Sequence, residues 1–118
     1  MRHRNKIAKL GRAPVYRKSL LRNLATSLAL HGKVMTTTTK AKALVAYYDR
    51  LMALTKRRDE MNAIRLLKRH LYTIPSQVAF MKRLKESKGS SGHLRRIKVS
   101  VRPGDGAEIT LVIFGTSA

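Results

Sequence analysis

The chain has 118 residues and carries 26 Lys or Arg against 6 Asp or Glu, a formal net charge of +20. That length reads as one domain, and an apolar fraction of 43% supplies a core, which excludes a wholly disordered polycation. No run reaches the roughly 18 apolar residues of a membrane span and no signal-peptide pattern opens the sequence; without cysteine there are no disulfides, thiolate metal sites or cysteine nucleophiles.

Residues 1–16, MRHRNKIAKLGRAPVY, show no sustained period and contain Gly11 and Pro14. They read as a basic, extended arm that orders on nucleic acid. In residues 17–31, Leu20, Leu21, Leu24 and Leu28 fall on one helical stripe. Gly32 is placed to end that helix in the left-handed conformation. Residues 33–37, KVMTT, are rich in β-branched side chains and predict a brief strand. A Thr cap at Thr38 or Thr39 then opens the clearest helix, over 40–57. Its Ala41, Leu44, Val45, Tyr48, Leu51, Met52 and Thr55 repeat at spacings of three and four.

Asp59 caps a third helix near 60–71, with Met61, Ile64, Leu67 and Leu71 on one side. Pro75 suits the first turn of a fourth, near 75–87, whose narrower stripe is Val78, Met81 and Leu84. Residues 87–93, SKGSSGH, read as a flexible loop. The period then changes. Ile97, Val99 and Val101 alternate with Arg96, Lys98, Ser100 and Arg102, which predicts a half-buried strand with a basic outer face. Pro103, Gly104, Asp105 and Gly106 signal a turn, and residues 108–114 form the returning strand. The sum is a basic arm over 1–16 and a single globular α+β domain over 17–118, with three to four helices packed on one face of a small sheet.

The charge is unevenly spread. Eleven Lys or Arg residues precede Asp49, the first carboxylate. A solvated face normally mixes signs, because like charges repel at close range. The counter-charge is therefore expected on another molecule: nucleic acid first, an anionic membrane second. Two basic surfaces result. One is the arm with the polar side of the first helix, and the other is the outer face of the strand at 95–102 with Lys88 before it. Arg offers bidentate hydrogen bonds to phosphate and Lys a point charge. Ser90, Ser91 and their neighbouring glycines either let the backbone approach a ribose-phosphate or form a mobile loop.

No catalytic constellation is visible. His3, His31, His70 and His93 lie far apart in the sequence. Asp59 and Glu60, or Asp105 and Glu108, could be imagined as a nuclease's metal pair, but Asp59 is better explained as a cap and Asp105 as a turn residue. No phosphate-binding glycine loop is present. Four Tyr and two Phe make no aromatic platform for a run of single-stranded bases, so shape and backbone are what the chain reads. The expectation is a protein that is not an enzyme, with no cofactor, no metal and no small-molecule substrate.

The opening MRHR, KLGR at residues 9–12, RKSLLRNLATSL at 17–28, His31, Thr36 with Thr37, and KAK at 40–42 resemble the bacterial-type large-subunit ribosomal protein seventeen family. Arg102, Gly104 and Asp105, leading into a final strand, are similar to that family's C-terminal hairpin. The likeness covers nearly the whole chain in order. Tyr16 stands where the family usually has His, and Ser91, Gly92, His93, Leu94 and Arg95 replace a usual Gly-Gly-Tyr-Thr-Arg.

The resemblance implies a structural constituent of the large ribosomal subunit near the peptide exit tunnel, in a cytoplasmic or organellar ribosome. Its implied partners are large-subunit rRNA and neighbouring large-subunit proteins, with no membrane and no stable free homo-oligomer. It also implies a two-layer fold on a small mixed three-stranded sheet. The RNA contacts expected in the arm and first helix are Arg2, His3, Arg4, Lys6, Lys9, Arg12, Arg17, Lys18, Arg22 and Asn23. Lys40 and Lys42 follow in the second helix, then Lys88, Arg95, Arg96, Lys98 and Arg102. The alternative is a free DNA-compacting architectural protein, which predicts a dimer. An RNA-processing enzyme has too few acids to favour it. Membrane-surface binding by the first helix conflicts with the core's need for its Leu stripe.

Overall fold

The computed structural model describes residues 10–11, 13–86 and 94–114, in the order α1 (Pro14–His31), β1 (Lys33–Thr37), α2 (Thr38–Lys56), α3 (Glu60–His70), α4 (Ile74–Glu86), β2 (Leu94–Val101) and β3 (Glu108–Phe114). The sheet order is β1-β3-β2, so the last strand is the central one. Both pairings are antiparallel, where the resemblance implied a mixed sheet. The four helices and the three-stranded sheet make an α+β fold.

Helix α1 starts three residues before the expected position, because Pro14 lies at its first turn, where a missing N–H costs nothing. Gly32 ends it at φ 82°, its N–H donating to Leu28 O at 2.8 Å. The cap of α2 is Thr37 rather than Thr38 or Thr39, and its side chain makes no capping bond. The Thr38 hydroxyl turns instead to the sheet, 2.8 Å from the Thr110 hydroxyl. Asp59 caps α3 as expected, accepting from Asn62 N–H at 3.1 Å.

The core is built on α2. Ala41, Leu44, Tyr48, Leu51, Met52 and Thr55 are buried, matching the sequence stripe, with Val45 packed beside them. Leu28 joins them from α1, Leu67 from α3, Phe80 from α4 and Val112 from β3. Tyr48 sits at the junction, its ring centroid 5.0 Å from Phe80 and 5.4 Å from Phe114. The Arg83 guanidinium lies 4.4 Å over the Phe114 ring, a cation–π contact from α4 to the sheet.

Three expected faces are corrected. In α3 the buried residues are Ala63, Leu66 and Leu67, while Met61 and Ile64 are exposed. In α4 the anchor is Phe80, and Val78 is 64% exposed. In β2 only Leu94 is even partly covered. Register explains the last. Arg96 pairs with Val112 and Lys98 with Thr110, which are buried on the helix side, so Ile97 shares the opposite face with its partner Leu111. A bulge between Lys98 and Ser100 then breaks the alternation. The strand reads as half-buried from its own pattern, but it is a sheet edge with little cover.

Two predictions follow from the packing and from the hairpin turn. The Tyr48 hydroxyl is buried without a hydrogen-bond partner among the described residues. Tyr48→Phe is therefore expected to leave stability unchanged or raise it by up to about 1 kcal/mol, while Tyr48→Ala loses about 3–5 kcal/mol by opening a cavity. Urea unfolding of both variants checks this. At the turn, Arg102 Nε donates to Asp105 Oδ1 at 3.1 Å, and Ala107 N–H donates to the same oxygen at 3.2 Å. The Arg102 guanidinium, then the Ala107 amide, hold the Asp105 carboxyl down to about 2. The stabilisation is thus present above the ordinary carboxylate value and is lost as pH falls through about 2. An NMR titration of the Asp105 carboxyl should give that low midpoint, and Arg102→Ala should raise it.

Candidate nucleic-acid interface

Two helical stripes line one groove. On α1, Pro14, Arg17, Lys18, Leu21 and Arg22 recur at spacings that keep them on one side of the helix. On α2, Lys42, Ala43, Ala46, Tyr47 and Arg50 do the same, on a face turned away from the core stripe. His70, the last residue of α3, completes the lining. The groove has a volume of about 840 Å³. Five of its eleven lining residues are Lys or Arg and none is acidic. Leu21, expected in the core stripe, lines the groove instead, and the α1 core positions are Ala25, Thr26, Leu28 and Ala29.

Tyr47 Oη and His70 Nδ1 are hydrogen-bonded at 2.5 Å, with ring centroids 5.7 Å apart in an edge-on arrangement. A buried hydroxyl helps hold α3 in place. Thr26 Oγ1 donates to Arg22 O at 2.7 Å and accepts from Tyr72 N–H at 3.2 Å, tying α1 to the chain just past His70. Burial pushes the Tyr47 phenol up, against the opposing pull of Arg22. Burial, then the charges of Arg22 and Arg69, push the His70 imidazole down. The pair is neutral at pH 7, so the positive field of the groove comes from Lys and Arg alone.

Four of the six acids have partners elsewhere. Asp59 caps α3, Glu60 faces Lys85 at 3.6 Å, Asp105 is forked by Arg102, and Glu108 accepts from Thr38 Oγ1 at 3.4 Å. That leaves the lining cations of the groove without a carboxylate among them. Among the described residues no group of three or more His, Asp or Glu could hold a metal ion, and no helix is long and apolar enough to cross a membrane.

Of the expected contacts, Arg17, Lys18, Arg22 and Lys42 meet in the groove. Asn23 is exposed on α1 and Lys40 half-buried in the first turn of α2, and neither lines it. Arg95, Arg96 and Lys98 are all exposed on β2, but they do not form one outer face: Arg95 lies on the side away from the helices, and Arg96 and Lys98 on the helix side. Arg2, His3, Arg4, Lys6, Lys9, Arg12 and Lys88, with Ser90 and Ser91, lie outside the described residues. Sequence reasoning missed Arg50, Tyr47 and His70. Arg50 was findable, being eight residues beyond Lys42 on the same helical face. His70 was not, because only the packing of α3 brings it there.

The fold and groove together define a class: a small α+β module with a cationic groove between its first two helices. The chain belongs to the ribosomal protein L17 family, whose family model matches residues 20–114. It is 36% identical to large ribosomal subunit protein bL17 of Thermotoga maritima, the match covering 95% of this chain and 92% of that one. It is 35% identical to the bL17 of Desulfovibrio desulfuricans over 100% of this chain and 71% of the relative. Against the bL17 of Desulfosudis oleivorans it is 37% identical over 95% of its length, and there it spans 54% of a longer protein.

The Tyr47–His70 pair gives a test of the groove's electrostatics. Because its folded value lies below the ordinary 6.5, His70 should show a lowered midpoint in an NMR pH series of the folded chain, and unfolding in urea should raise it. The sign follows: the unfolded chain takes the proton first, so the His70 contribution to stability falls as pH drops below about 6.5. His70→Asn should flatten that part of the pH–stability curve.

Proposed function

We propose that the chain is a structural, non-catalytic component of the large ribosomal subunit that binds large-subunit rRNA by neutralising its backbone. The observation that carries this is the α1–α2 groove, with five Lys or Arg side chains in its lining and no acid. Membership of the ribosomal protein L17 family supports the ribosomal setting, and nothing in that membership favours a free DNA-compacting protein. Arg17, Lys18, Arg22, Lys42 and Arg50 replace condensed cations along the RNA. The arm ahead of α1, residues 1–13, threads between rRNA helices, its cations adding to those of the groove. Arg95, Arg96 and Lys98 make a second, looser backbone contact.

The outer sheet face suits a protein neighbour better than RNA. Met35, Ile97 and Leu111 are cross-strand partners on that face, and Met35 is 61% exposed. An apolar patch of this kind is usual at contacts between proteins. The place in the particle is near the peptide exit tunnel of a cytoplasmic ribosome.

Sucrose-gradient fractionation tests the class: the chain should travel with large subunits at moderate salt and leave only at high salt. Salt titration of rRNA-fragment binding tests the residues. Arg50→Ala should weaken binding and lower the log–log salt slope by about 0.7–0.9, the share of one phosphate contact. Removing residues 2–12 should lower the slope further, and an unchanged slope would sink the arm's role.

A further inference from the structure

Backbone neutralisation alone asks for cations on a surface, and the groove is more than that. Its volume of about 840 Å³ falls in the roughly 300–1,000 Å³ typical of small-ligand sites, far more than one phosphate needs. Its lining is also mixed. Pro14, Leu21, Ala43 and Ala46 are apolar, and Tyr47 adds a ring. On the RNA-binding reading above, we infer that this groove takes one unpaired RNA nucleotide, its base against the Tyr47 ring and the apolar lining, its phosphates on the surrounding Arg and Lys.

Three features fit that occupant. Bases stack on aromatic rings and on guanidinium planes, and Tyr47 lies among Arg17, Arg22 and Arg50 in the lining. The hydrogen bond to His70 fixes the Tyr47 ring before anything binds, so little side-chain freedom is lost on stacking. Arg17, Lys18 and Arg22 line the α1 wall and Lys42 and Arg50 the α2 wall, so charged donors for the phosphates stand on both sides of the base position. With one aromatic of this kind in the lining, the groove suits one base and not a run. A peptide occupant would need carboxylates to meet the five cations, whereas every nucleotide brings its own anion.

The test uses the full chain and two RNA hairpins of one stem sequence, fully paired or with a single unpaired fluorescent adenine analogue. The bulged hairpin should bind about tenfold tighter at fixed salt, the scale of one base stacked on an aromatic ring, and its fluorophore should be quenched on binding. Tyr47→Ala should erase the preference and the quenching. Because Tyr47 packs against the core and its loss could unfold the chain, Ala46→Trp is the companion variant. Ala46 is exposed, so its indole fills the groove at little cost to folding, and it should abolish the preference while salt-dependent binding to the paired hairpin persists. Equal affinity and no quenching, with salt-dependent binding of both hairpins retained, would overturn the inference and leave the RNA-binding reading standing. Salt-independent or absent binding to both would overturn the two together.

Discussion

The packing of α2 is the constraint on which the rest of the structure depends. Tyr48, in its middle, touches Phe80 of α4 and Phe114 of β3, so one side chain locks a helix to another helix and to the sheet. Residues one position away, such as Tyr47, lie about a quarter-turn around the helix and face α1 across the groove. Once Ala41, Leu44, Tyr48, Leu51 and Met52 are buried, the facing of Lys42, Tyr47 and Arg50 is no longer free. The core chooses which cations share a surface.

That arrangement also answers the problem posed by the charge. A net +20 on a small body opposes compaction. Asp59, Glu60 and Asp105 do local structural work, at the cap of α3, beside Lys85 and in the hairpin turn, and no carboxylate lines the groove. The repulsion among Arg17, Lys18, Arg22, Lys42 and Arg50 is therefore not relieved by any carboxylate in the lining, and the proposed rRNA partner would supply the missing anions.

The elements were legible in the sequence because each has a local cause. Gly32 stops α1, Asp59 starts α3, Pro75 sits in the first turn of α4, and the α2 stripe repeats at the helical period. Where the reading slipped, the reason was tertiary. Helices α3 and α4 bury Ala63, Leu66 and Phe80 rather than the more periodic Met61, Ile64 and Val78, because the surface each meets decides which side is covered. The Thr37–Thr39 run could not reveal its cap, since the Thr38 hydroxyl is drawn to Thr110, a partner far along the chain. The candidate site divides the same way. Arg17, Lys18, Arg22 and Lys42 stand out as cations within a carboxylate-free stretch, but that they share a groove with His70 is invisible until α3 is folded back past Thr26.

By itself, then, the sequence determined the inventory: helices and strands with their stops, a core-forming α2, and a large positive charge concentrated before the first carboxylate. Those are properties of composition and short-range spacing, where φ preferences and hydrophobic period act. The tertiary structure alone decided which faces are covered, that β3 is central and β2 an edge, and that cations from α1 and α2 line a cavity with an aromatic ring in it. Such features depend on contacts between residues distant in sequence, and no local period encodes them.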